Sequence, residues 1–122
     1  MGSLFILLPP SEGKAQGGRA SAKWRENSGL FGKQLGKHRT EIVNQLIKVK
    51  GGDEKLLGVG KAHLVRAKSA NATLRGAPTL AAHERYTGVV WDHLDLASLT
   101  APQRTRALNS IVIISGLLGA VS

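Results

Sequence analysis

The chain has 122 residues, enough for one domain and one hydrophobic core, and its 42% apolar but only 4% aromatic content calls for a core mostly of Leu, Ile, Val and Ala. It contains no cysteine, which excludes disulfides, thiolate metal sites and a peroxidatic or protease thiol. A net charge of +9 has two readings, a polyanionic partner or anionic substrate on one side and a merely solubilising charged face on the other.

In chain order, residues 4–8 (LFILL) are predicted to form a buried strand, because five apolar residues stopped by Pro9-Pro10 are too few for a helix. The prolines lack N–H donors, so the sheet ladder must end there. Ser11-Glu12-Gly13-Lys14 then places a hydroxyl, a carboxylate and an ammonium at a strand's carboxyl end, where ligand crevices form in open α/β sheets. Residues 15–32, rich in Gly, Ser, Ala and Lys, read as a long loop anchored by Trp24. A helix is predicted over 33–50. Leu35, Ile42, Val43, Leu46, Ile47 and Val49 fall near one face, and Lys37, Glu41, Asn44, Gln45 and Lys48 fall outside. Gly51-Gly52 ends it.

Asp53 is placed to cap a short turn carrying Leu56 and Leu57. After Gly58-Val59-Gly60 a second helix is predicted over 61–74, with Leu64, Ala67 and Leu74 inward and a stop at Gly76-Ala77-Pro78. Residues 79–85 read as extended, and 89–94 as a helix carrying Trp91. Pro102 suits the first turn of another helix ending near Asn109. Residues 110–115 (SIVIIS) form a strong buried-strand run before an apolar end, GLLGAVS. Strands separated by helices make the fold class α/β, short strands with covering helices, with two clear strands and a third less clear. An apolar end just past a core strand leads to the expectation that the native protein continues and that 1–122 is a portion of a larger domain.

The charge is uneven. Residues 31–75 hold ten Lys/Arg against three Asp/Glu, a net +7, while 1–30 carry +2 and 76–122 are neutral. Met1-Gly2-Ser3 is uncharged and Pro9-Pro10 cuts the apolar run short, so no signal peptide is read. The run from Ile111 is too short to span a bilayer. The expected location is cytoplasmic with no membrane partner, which leaves Asn71-Ala72-Thr73 idle as a glycosylation acceptor.

Three motifs in order, LLPPSEGK near the start, RYTGVVWDHLD at 85–95 and IISGLLGAVS at the end, resemble the N-terminal half of an actinobacterial-type member of the YaaA (UPF0246-type) peroxide-stress family. The resemblance covers the whole chain and implies a cytosolic bacterial protein with an α/β fold of its own and a basic cleft. It further implies a role in limiting damage from hydrogen peroxide and free iron, and DNA binding through a helix–hairpin–helix-like element. No catalytic residue, metal or cofactor comes with it, and it leaves the oligomeric state open. The positions matching the family are Pro10, Ser11, Gly13 and Lys14, then Tyr86, Thr87 and Gly88, then Ser115, Gly116 and Gly119.

Residues 53–67 (DEKLLGVGKAHLVRA) are the candidate for DNA contact. Gly58 and Gly60 would let backbone N–H groups reach a phosphate, the next helix adds its dipole, and Lys61 and Arg66 add charge. Gly51-Gly52 shortens the first helix and Leu64 stands where a small residue is usual, so a plain connector is the other reading. Such geometry grips backbone rather than bases. The second candidate is the 11–14 turn, with Ser11, Gly13 and Lys14 either holding the anion of a phosphorylated or nucleotide-like ligand or forming an ordinary exposed turn. It is not a Walker loop, because Ala15 follows Lys14 where Ser or Thr would hold Mg²⁺. Arg85, Tyr86 and Thr87 would line the same cleft, Arg85 on a phosphate and Tyr86 on a base, or Tyr86 and Gly88 serve packing and a turn. Asp92-His93-Leu94-Asp95 lacks the spacing of a metal site, the other histidines are scattered, and no catalytic triad or paired-carboxylate pattern is present.

Overall fold

The two apolar runs at opposite ends of the chain find each other. In the computed structural model, which describes residues 3–122, strand β1 (Ile6–Leu8) pairs in parallel with β4 (Ile111–Ser115), with Leu7 opposite Val112 and Leu8 opposite Ile113. Parallel strands require a crossover, and here it takes up most of the chain. After β4 the chain turns at 116–118, where the Ser115 hydroxyl accepts from the N–H groups of Leu117 and Leu118. It returns antiparallel as β5 (Gly119–Val121), giving the order β1-β4-β5. Gly119 makes that return possible at φ +71°. The uncharged start at Met1 and Gly2 lies outside the described residues.

The crossover carries the helices: α1 (Gly32–Lys48), α2 (Glu54–Leu57), α3 (Lys61–Ala72), α4 (Ala82–Arg85), α5 (Val89–Leu94) and α6 (Ala101–Ser110). The mixed α/β class read from the sequence stands. Asp53 caps α2 by accepting from Leu56 N–H at 2.8 Å, and Thr100 and Gln103 form a capping box at α6 with Pro102 in its first turn. One face of the sheet is sealed by Tyr86 and Trp91, which pack on Ile111 and Ile113 with Leu8, Leu94, Ala107 and Val121 around them. Gly51, at φ +87°, sits so close to α3 that a Cβ there would lie 2.1 Å from the Lys68 carbonyl oxygen.

Four expectations are corrected. Residues 4–8 do not form a buried strand, for only 6–8 join the ladder and Leu4, Phe5, Ile6 and Leu7 are exposed, because β1 is the edge of its sheet. Residues 15–32 contain a strand, β2 (Arg19–Lys23), paired antiparallel with β3 (Pro78–Thr79) in a second small sheet, although Trp24 is buried as the anchor. Its composition hid it, since a short ribbon open to solvent needs no apolar alternation. Residues 79–85 are extended only at their start and then turn into α4. On α1 the expected face holds for buried Val43 and half-buried Leu35 and Leu46, joined by buried Arg39, whereas Ile42, Ile47 and, past the helix end, Val49 are exposed; on α3 the expected Leu64 and Ala67 are half-buried and no residue is buried fully.

Among the described residues no helix is long and apolar enough to cross a membrane.

Candidate functional site

Pro9 and Pro10 end β1, and the chain then lies against the segment before α5. Lys14 and Tyr86 form an antiparallel bridge, flanked by Ala15 N–H donating to the Arg85 carbonyl at 2.8 Å and Thr87 N–H to the Gly13 carbonyl at 3.0 Å. The Ser11 hydroxyl donates to the Thr87 carbonyl. Gly13 is required by this approach, because a Cβ there would stand 2.6 Å from Thr87 Oγ1. Two motifs more than seventy positions apart in sequence thus form one ribbon at the carboxyl end of β1. The third motif reaches it through Ile113, which packs in one cluster with Tyr86, and burial pushes the Tyr86 phenol's pKa up, with Ser115 opposing.

Within this ribbon the charged groups are not alike. Lys14 Nζ donates to the Ser11 carbonyl at 2.9 Å and lies 5.6 Å from the centre of the Tyr86 ring, a cation–π distance. Desolvation pushes this ammonium below the ordinary lysine range, with Glu12 opposing and Arg66 reinforcing. Arg66 comes from α3 and donates to the Lys14 carbonyl at 3.4 Å, so it stands beside the 11–14 turn as well as belonging to the helix after the hairpin. The Arg85 guanidinium donates to the carbonyls of Ala15 and Gly17. Tyr86 is 7% exposed and stacked on Trp91, with ring centres 5.9 Å apart. Arg85 thus holds the loop at 15–17 through two of its donors, and the Tyr86 ring faces Trp91. A cavity of about 330 Å³, lined by Trp24, Phe31, Leu74, Arg85, Tyr86 and Val121 among others, adjoins these two residues but not the 11–14 turn.

The hairpin is open. Gly58 is left-handed at φ +63° and donates to the Glu54 carbonyl at 2.9 Å, while Gly60 is extended at φ −71° and precedes α3 without a side-chain cap. A Cβ on either glycine would meet nothing within 4 Å. Around it Lys33, Lys37, Lys48, Lys50, Lys55, Lys61 and Arg66 are exposed on or next to α1, α2 and α3, and none joins either ion pair of the described residues, Arg19–Glu84 and Arg75–Glu26.

One structural residue escaped sequence reading. Arg39, 3% exposed, donates to the carbonyls of Leu118 and Ala120 around the β4–β5 return and of Glu26 and Ser28 in the loop before α1. Its signal was its position one helical turn from both Leu35 and Val43, on the inward line of α1.

A family model described as peroxide stress protein YaaA matches residues 4–122. A UPF0246 protein of Streptomyces coelicolor is 40% identical over 123 residues, and one of Corynebacterium efficiens is 36% identical over 119. Each alignment covers 97% of this chain and 46% of the relative, so the chain spans about half the length of the curated relatives it matches. No solved structure matches.

Proposed function

This chain belongs to the family of peroxide stress protein YaaA, and from that premise we propose that it acts in the peroxide response by binding DNA through the phosphate backbone, limiting oxidative and iron-dependent damage. The observation that carries this reading is the exposed positive charge of α1–α3 around an open glycine hairpin, which joins no ion pair of the described residues. Gly60 leaves the first turn of α3 without a side-chain cap, and although His63 N–H donates to the Gly60 carbonyl at 2.9 Å, the N–H groups of Lys61 and Ala62 and the helix dipole can serve a phosphate. Lys55 and Lys61 flank that point. Nothing in this arrangement distinguishes one base from another, and sequence-independent binding is the consequence.

The test is fluorescence anisotropy of labelled duplex DNA across a salt series. A steep loss of affinity with salt is expected, and Lys55→Ala with Lys61→Ala should reduce the slope by about two counterions. Gly60→Val occupies an allowed backbone conformation and open space, so it should fold by circular dichroism and still bind more weakly. Binding that none of these variants changes would reject the hairpin.

A second reading rests on Lys14 and Arg66 standing together at the 11–14 turn: a phosphorylated or nucleotide-like small ligand held by Ser11, Gly13, Lys14 and Thr87. Such binding should depend much less on salt and should be lost with Lys14→Ala rather than Lys61→Ala.

A further inference from the structure

Strand β1 has a ladder partner on one side only. Its neighbour is β4, and the other edge of 6–8 faces no strand of the described residues. Leu4 is 74% and Leu7 66% exposed, and Phe5 is open as well. The register puts Leu7 beside Val112 and Ile6 beside Ile111, so β1 is bare at Leu7 on one face and partly open at Ile6 on the other, where Leu8 packs into the core. Ile114, two residues beyond the buried Val112 on the same face, is exposed as well. An open groove of about 640 Å³, lined by Leu4, Phe5, Pro102, Thr105 and Asn109 among others, runs from the start of β1 to α6. Parallel strands of α/β sheets are covered on both faces, and an apolar open edge is a template for another strand.

The relatives indicate what fits there. More than half of their length lies outside the matched region. We propose that the open edge of β1 and the exposed side chains along it are the docking surface for a polypeptide equivalent to that unmatched portion, which adds a strand to β1 and covers Phe5 and Leu7. A second copy of this chain is the poorer occupant, because each copy carries a net charge of +9 and the two repel as they approach.

The experiment co-expresses this chain with the unmatched portion of the Streptomyces relative as a separate polypeptide. Mass is read by size exclusion with light scattering, and protection by amide exchange. A 1:1 complex is expected, with exchange at 6–8 slowed by about tenfold or more. Leu7→Lys and Phe5→Asp should each abolish the complex while leaving the circular dichroism of the free chain unchanged. A portion that stays unbound or insoluble beside the soluble chain, a complex that survives both substitutions, or a homodimer that excludes the added portion would each overturn the proposal.

Discussion

Strands β1 and β4 begin as equals and end as opposites. Both are short, apolar and rich in Leu, Ile or Val, and both read as buried. In the structure Ile111, Val112 and Ile113 of β4 are buried, with Ile113 only 1% exposed, while only Leu8 of β1 packs against the core. The difference lies in their neighbours. β4 has a strand on each side and the Tyr86–Trp91 stack against one face, whereas β1 has one strand and open space. An apolar run specifies that a strand will form, and its place in the sheet specifies what that strand contributes to stability.

The largest expected effect sharpens this contrast. Ile113→Ala removes a side chain with no room to relax and should cost about 3–4 kcal/mol in urea unfolding. Next is Arg39→Ala, which strands four carbonyls and frees the β4–β5 return, for a loss of about 2–3 kcal/mol. It should also raise amide exchange in β4 toward that of β1, and unchanged exchange would show that β5 needs no such clamp.

A smaller effect runs through the loop that Arg39 grips. Burial pushes the Glu26 carboxyl up, but its backbone hydrogen bond and the side-chain bond to Arg75 outweigh this and leave it below the usual range. A carboxyl depressed in the folded state stabilises above its unfolded pKa, and that contribution fades as pH falls through the folded value. Acidification below the ordinary glutamate range should therefore cost about 0.5 kcal/mol, absent in Arg75→Ala, given the partial exposure of the pair. The smallest effect is Leu7→Ala, expected within about 0.5 kcal/mol in the free chain. A loss comparable to that of Ile113→Ala would break the comparison, because it would mean that β1 is covered in solution.

The basic groups divide in the same way. Arg39, Arg85 and Arg104 donate to backbone carbonyls, while the exposed lysines of α1–α3 take part in no ion pair of the described residues. Net charge counted along the chain treats these alike. On the proposed reading, the exposed lysines and Arg66 are the groups left to meet a polyanion.

What the sequence determined by itself is what short-range forces control. Asp53 announced its cap, Pro102 its helix start, Gly51-Gly52 the end of α1 and SIVIIS the central strand, because capping, ring constraints and apolar runs act within a few residues. Three motifs also carried the family. The tertiary structure alone decided that Arg85 would hold its own loop, that Tyr86 would face Trp91, that Arg66 would stand by Lys14 and that β1 would be bare. The reason is physical. Every residue offers a carbonyl, so nothing local marks which ones a distant guanidinium will meet, and burial belongs to the surroundings that long-range packing assembles rather than to the residue itself.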